Sequence, residues 1–166
     1  MPRSARLRAA SLGLALCAAL AVSACSSDKD LADASAFGAG AATPGSAQDF
    51  VVNVGDRVFF ESDATDLTPT ATGTLDKQAA WLQRYPRYSF LIEGHADERG
   101  TREYNYSLGA RRAQAVNDYL ASRGIATGRM RTVSYGKERP VAVCNDISCW
   151  SQNRRAVTVL DRGAGT

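Results

Sequence analysis

The chain of 166 residues holds a single histidine, His95, and this scarcity narrows its chemistry at once. A zinc centre takes three or four protein ligands, so a site built on several histidines is excluded. No Cys-His pair suited to nucleophilic catalysis and no pair of carboxylates flanking a cleft stands out, which leaves a hydrolase without its usual parts. Long apolar runs are also missing. The longest, "AASLGLALCAALAV" at 9–22, has fourteen residues and is too short to span a bilayer comfortably as a permanent helix. Acids are absent from residues 1–24, where Arg3, Arg6 and Arg8 lie, so removing that segment takes the formal net charge from +3 to zero. A neutral remainder gives no electrostatic case for nucleic acid.

What is present begins with an export layout. A basic start, the apolar run and the small pair Ser23 and Ala24 follow the order of a bacterial signal peptide over 1–24. "VSAC" (Val22 to Cys25) resembles the lipobox of bacterial lipoproteins, which predicts cleavage before Cys25 and acylation of its thiol; an ordinary signal with a chance cysteine is the alternative. Several acyl chains anchor firmly where one is marginal, because each buried methylene contributes roughly 0.8 kcal/mol. In lipoproteins, Ser26 rather than aspartate after the cysteine favours sorting to the outer membrane. Residues 25–49 then read as the lipidated cysteine and a flexible periplasmic tether rich in Ser, Ala, Gly and Asp, its ends about 25 to 30 Å apart by coil scaling.

Residues 50–162 carry the fold, with a short tail at 163–166. At 45% hydrophobic and 22% charged, the chain needs only one core. "VVNVGDRVFF" offers two short apolar stretches around Gly55-Asp56, a strand signal interrupted by a turn. Thr68 as N-cap, Pro69 at the first helical position and Leu75, Ala79 and Leu82 at helical spacing predict a helix that ends by Pro86. "RYSFLIEG" reads as a buried strand. Helical periodicity returns from about Thr101 to Arg123 and stops at Gly124; "RMRTVSYG" and "RRAVTVL" read as two more strands. The order β-α-β-α-β-β predicts an α/β sandwich, with two main helices packed on one face of a four-stranded sheet.

The second helix carries the informative spacing. Asn105, Leu108, Arg112, Ala115, Val116 and Tyr119 fall within about a third of a turn, so Arg112 sits inside the apolar stripe, with Arg111 at its edge. An unpaired buried charge costs several kcal/mol. Either an internal acid such as Asp97 neutralises Arg112, or Arg112 waits for an anionic ligand.

Four stretches in this order and spacing, "EGHADERGTREYN", "LGARRAQAVNDYL", "RTVSYGKERPV" and "NRRAV", resemble the OmpA C-terminal-like family across Val58 to Leu160. The resemblance implies non-covalent binding of peptidoglycan through the meso-diaminopimelate of its stem peptide. It carries the gripping roles onto Asp97, as acceptor for the ligand ammonium, and Arg112, as a fork for its carboxylate. Asn105 and Leu108, on the Arg112 face, would line the same pocket, and Leu108 reads equally well as plain core. Where the family has "FDFD", this chain has Phe60-Glu61-Ser62-Asp63, which lengthens one acid and loses an aromatic; lining roles pass to Phe60 and Glu61. TolB and the other Tol proteins are the implied partners, with no cofactor and no metal.

The dense charge of "GHADERGTREYN" has plainer readings too. His95 suits a hydrogen-bonded structural role at a strand end better than a general base or metal ligand. Asp97 alone reads as a turn residue. Thr101, also a candidate wall-binding residue, reads as a helix N-cap, and Glu98, Arg99, Arg102 and Glu103 read as a solvated rim. Cys144 and Cys149 point to a local disulfide in an oxidising periplasm, with free thiols or a metal pair as alternatives. Trp150 reads as a core or loop anchor, and Arg154 and Arg155 as a solvated strand end, with one of them at the border of the pocket as the alternative. A binding lipoprotein is therefore expected rather than an enzyme. A protein-binding adaptor without wall affinity, or a wall hydrolase, are the alternatives.

Overall fold

The computed structural model describes residues 42–161. The signal segment 1–24, the lipidation site Cys25, most of the tether and the tail 163–166 lie outside the described residues. Seven elements follow a short helical entry: β1 (Arg57–Phe59), α1 (Pro69–Arg84), β2 (Phe90–His95), α2 (Arg102–Ser122), β3 (Met130–Gly136), α3 (Ile147–Asn153) and β4 (Arg155–Leu160). The four-stranded sheet runs β1-β4-β2-β3. β4 is antiparallel to both of its neighbours, whereas β2 and β3 are parallel and joined through α2. α1 packs on β1, α2 packs on β2 and β3, and the two helices touch each other on the same face of the sheet.

Both main helices start where their side chains cap them. Thr68 Oγ1 accepts from the Ala71 amide at 3.1 Å, with Pro69 next, and Thr101 Oγ1 accepts from the Tyr104 amide at 3.2 Å. α1 gives out at Tyr85, just before Pro86. α2 ends against Gly124, whose φ of +88° suits the left-handed turn that sends the Ile125 amide back to the Leu120 carbonyl at 3.1 Å. The buried residues of α1, Leu75, Ala79, Trp81 and Leu82 among them, meet Phe90 and Ile92 of β2 and Val116 and Leu120 of α2 in one core.

Two segments differ from the sequence-based expectation. Residues Phe50–Val54 form a helical turn and not a strand, so only the second apolar stretch, Arg57–Phe59, is extended. Phe50 alone of this turn is buried, stacked at 4.9 Å on Trp81, while Val51 and Val52 face solvent. The turn is fixed from below: Ser46 caps it, and Asp49 Oδ2 accepts from Trp81 Nε1 at 2.8 Å. The Gly45 carbonyl accepts from Arg87 at 2.7 Å and from Tyr88 at 2.8 Å, so packed structure begins several residues before position 50. The second difference is α3, a seven-residue helix capped by Asp146 and inserted before β4, so the full order is β-α-β-α-β-α-β. It is too short for its periodicity to register. Within it Cys149 is joined to Cys144 by a disulfide, with Cα atoms 5.7 Å apart.

The seating of α2 on the sheet needs two glycines. A Cβ on Gly94 would meet the Gly109 carbonyl oxygen at 1.8 Å, and one on Gly109 would meet Ser134 Oγ at 2.4 Å. Ser134 Oγ itself donates to the Tyr106 carbonyl at 2.6 Å, tying β3 to the helix. Backbone thus lies directly on backbone where α2 crosses β2. Gly109→Ala is expected to lower the unfolding free energy by roughly 2 kcal/mol or more, because neither surface can retreat. Gly73→Ala, in α1 with nothing within 4 Å of the new Cβ, should raise it by about 0.5–1 kcal/mol. Urea unfolding of the two variants checks the contrast, and equal effects would contradict the packing described.

Candidate functional site

At the C-terminal end of β2 the pairing with β3 shifts between Gly94 and His95, and the chain leaves the sheet as the loop 96–101. Lys137 Nζ fastens this loop by donating to the carbonyls of Glu98 at 3.1 Å and Gly100 at 2.7 Å. Asn105, buried on the first turns of α2, donates through Nδ2 to the Arg99 carbonyl at 2.7 Å. The loop is thereby held against α2 and faces the segment that follows β1. Between them lies a cavity of about 260 Å³ lined by Ser62, Asp63, Asp97, Arg99, Gly100, Tyr104, Asn105, Leu108 and Arg112.

Among the described residues Arg112 is the largest fully buried side chain, at 0% exposure. Its guanidinium donates to three main-chain carbonyls: Nε to Ala64 at 2.9 Å, Nη1 to His95 at 2.9 Å and Nη2 to Glu61 at 3.1 Å. The Phe60 ring lies beneath it, 5.1 Å from Cζ. Carbonyl dipoles, and not an internal acid, hold the charge, so Asp97 does not neutralise it directly. Burial first, and then the neighbouring Arg154 charge, push the guanidinium down to about 10, which leaves it cationic at neutral pH. Of its five N–H groups, one on each terminal nitrogen has no protein acceptor among the described residues.

Asp97 is 5% exposed and accepts along four directions. Oδ1 takes the Arg99 amide at 3.2 Å and Arg99 Nε at 3.1 Å; Oδ2 takes Arg99 Nη2 at 2.6 Å and Arg154 Nη1 at 3.5 Å. Burial by itself would raise this carboxyl, but the hydrogen bonds and charge of Arg99, with help from Arg154, hold it below the ordinary carboxylate value. Arg154 is buried as well and donates through Nε to the Phe60 carbonyl at 3.0 Å. The buried part of the site therefore sets two guanidinium cations against one carboxylate. An excess of positive charge in a desolvated pocket favours an anionic group on the ligand.

Among the residues read from the sequence, the structure brings Asp97, Asn105, Leu108 and Arg112 to one cavity. It does not bring the others there. Thr101 spends its hydroxyl on capping α2. Phe60 is buried under Arg112 and borders a neighbouring cavity of about 320 Å³ with Glu61, whose part at Arg112 is played by its carbonyl and not its carboxylate. Arg112 is indeed on the buried face of α2, but that face also takes in Gly109, Ala113 and Leu120, while Ala115 and Tyr119 are half-buried at its margin.

Several site residues escaped the sequence reading. Arg99, expected on a solvated rim, is the main partner of Asp97, and its guanidinium stacks 4.3 Å above the Trp150 ring. Glu98, expected on the same rim, accepts from Trp150 Nε1 at 2.5 Å. Trp150 thus anchors the loop from α3, directly after the disulfide. Arg154, expected at a solvated strand end, is 5% exposed, and Arg155 is 4% exposed. Asp63 accepts from the Tyr104 hydroxyl and takes a φ of +60°, a left-handed conformation that aspartate tolerates better than most residues. Tyr104 stands four and eight residues before Leu108 and Arg112, a ridge that helical spacing could have exposed.

His95 also departs from expectation. It stands at a strand end, buried to 1%, but neither ring nitrogen makes a hydrogen bond among the described residues, and only its carbonyl serves Arg112. Burial first, then the Arg155 and Arg139 charges, push its pKa down to about 4, so the ring is neutral and its 3.5 Å approach to Glu93 is not an ion pair at neutral pH. Among the described residues no cluster of three or more His, Cys, Asp or Glu side chains is placed to hold a metal, and no helix is long and apolar enough to cross a membrane.

Comparison with known proteins agrees with this architecture. The model of the OmpA family matches residues 59–154. The chain is 65% identical over 156 residues to the peptidoglycan-associated lipoprotein of Rhizobium meliloti, covering 92% of this chain and 88% of that one. It is 59% identical to the protein of the same name from Mesorhizobium japonicum, over the full length of both. Among solved structures, the crystal structure of the peptidoglycan-associated lipoprotein from Burkholderia pseudomallei superposes with a TM-score of 0.66 at 36% identity, covering 70% of this chain and all of that one. The C-terminal domain of Helicobacter pylori MotB shares the fold, with a TM-score of 0.61 at 22% identity over 66% of this chain and 86% of that one.

The buried histidine makes stability depend on pH in a defined window. Its folded pKa, about 4, lies below the ordinary 6.5, so between those values the unfolded chain binds the extra proton. The stabilisation is complete above pH 6.5 and is lost as pH falls toward 4, by up to about 3 kcal/mol at roughly 1.4 kcal/mol per unit. Unfolding free energies measured between pH 7 and 4 should show this decline in the wild type and a much flatter profile in His95→Gln. Parallel profiles would contradict the assignment.

Proposed function

The chain belongs to the OmpA family, with peptidoglycan-associated lipoproteins as its near relatives, and from that premise we propose that its folded domain binds peptidoglycan non-covalently and ties the outer membrane to the wall. One observation carries the reading to a site: a fully buried arginine, Arg112, with two N–H groups that no protein acceptor among the described residues takes, lines one cavity with the carboxylate of Asp97. The side chain of meso-diaminopimelate ends in a carboxylate and an ammonium on one carbon. Arg112 would receive the carboxylate through paired, charge-assisted hydrogen bonds, Asp97 would accept from the ammonium, and Leu108 would pack on the aliphatic stem. A zwitterionic end engages both groups at once, whereas a simple anion engages only Arg112 and a simple cation only Asp97.

The remainder of the reading follows the lipoprotein relatives and the lipobox. Acylated Cys25 holds the protein in the outer membrane, and the residues after it act as a tether that lets the domain reach the wall. TolB and the other Tol proteins are the partners of this system, which acts in envelope integrity and in outer-membrane constriction during division. The domain is a binding module and not an enzyme, in keeping with its lipoprotein relatives of the OmpA family.

Pull-down of the protein on purified sacculi tests the site. Asp97→Ala and Arg112→Ala should each lose binding. Because Arg112 also fastens residues 61–64, circular dichroism must confirm that the variants are folded. Arg112→Lys keeps the charge but not the fork, and should weaken binding by about tenfold or more. Wild-type retention by folded Asp97→Ala and Arg112→Ala would reject the site, and unchanged affinity of Arg112→Lys would reject the paired contact.

A further inference from the structure

The two ends of the socket are not in the same state. Arg112 has N–H groups to spare, but every acceptor direction of Asp97 is taken, three of the four by Arg99. A carboxylate offers about four lone-pair positions, so an incoming ammonium finds no acceptor there while the Arg99 side chain stays in place. That side chain is not locked: it is 44% exposed, its second terminal partner is the exposed Ser62 hydroxyl at 2.9 Å, and one face of its guanidinium rests on Trp150. Arg154, by contrast, is buried and reaches Asp97 at only 3.5 Å.

We propose that Arg99 is a built-in occupant of the cation subsite, which the ligand ammonium must displace from Asp97 for the wall peptide to seat. The proposal rests on the reading of this socket as the diaminopimelate site and adds a regulatory step to it. With the socket empty, Arg99 supplies the positive charge that keeps the buried carboxylate paired, so the apo site does not carry an unmatched anion. On binding, one cation replaces another on Asp97, and the released guanidinium leaves the Trp150 face for solvent. The exchange selects for ligands that bring their own ammonium. A ligand with the carboxylate alone can reach Arg112 but cannot replace Arg99. The occupant also sets a reversible tax on affinity: only the fraction of molecules with Arg99 swung away is competent, and apparent affinity falls by that fraction.

Calorimetric titration of the full-length protein in detergent with a stem tripeptide ending in meso-diaminopimelate tests the exchange, with the same peptide acetylated on its side-chain amine as the second probe. Arg99→Ala and Arg99→Gln should bind the free-amine peptide about three- to tenfold tighter than wild type, as expected for removal of a partly exposed competing pair. The acetylated peptide should show no such gain. Tryptophan emission should change on titrating the wild type and stay constant in Trp150→Phe and in Arg99→Ala, since Arg99 leaves its stacked position only where both partners exist. Weaker or equal binding by the Arg99 variants, an equal gain for the acetylated peptide, or an unchanged wild-type emission despite measured heat would each overturn the exchange. Wild-type affinity in folded Arg112→Ala and Asp97→Ala would instead remove the socket reading itself, and the exchange with it.

Discussion

One guanidinium organises this domain. Arg112 rises from the centre of α2, fully buried, and binds the carbonyls of Glu61, Ala64 and His95. The first two lie in the segment after β1 and the third at the end of β2, so a single planar group sets the distance between two loops that share no strand pairing at that point. A lysine at this position would offer a point charge and could not bridge three acceptors in fixed directions. The same plane carries the free N–H groups that give the cavity its appetite for an anion. In the proposed reading, structural fastening and ligand recognition are two uses of this one side chain.

Around that centre the sheet and helices act as supports. Glycines 94 and 109 let α2 lie against β2 with backbone touching backbone, which brings Arg112 deep enough to reach the strand end. The shift in register at His95 turns the chain out of the sheet and aims Asp97 back at the cavity. α3, closed off by the Cys144–Cys149 disulfide, presents Trp150, which takes Glu98 through its indole N–H and Arg99 through its ring. A disulfide loop far along the sequence thereby steadies the loop that holds the acid. The electrostatics follow from these placements: two buried arginines and one buried aspartate leave the pocket with a positive excess, while the exposed Arg99 covers the aspartate.

Much of this was legible in the residue pattern, and the parts that were not have physical reasons. The two main helices were announced by their caps, Thr68 with Pro69 and Thr101, and by Gly124. Arg112 was visible as a charge at helical spacing inside an apolar stripe, and that oddity pointed to the site. Its real partners were invisible because they are carbonyls, which every residue carries and no side-chain pattern records. Arg99 and Arg154 were misread as solvated because neither lies on a periodic element that declares its facing: one is in a loop, the other at a helix-strand junction. α3 and the helical turn at Phe50–Val54 are each shorter than the two turns that periodicity needs. The turn is decided by a long-range contact, Asp49 with Trp81, that local sequence does not contain.

The central claim is that the ligand's carboxylate completes the buried cation at Arg112. Stem peptides ending in meso-diaminopimelate and in lysine differ at that end by the presence or absence of one carboxylate, with the ammonium kept in both. Titrated side by side against the wild-type protein, the diaminopimelate peptide should bind at least about tenfold more tightly, the value expected for a charge-assisted pair in a desolvated site. Equal affinity for the two peptides would contradict the account.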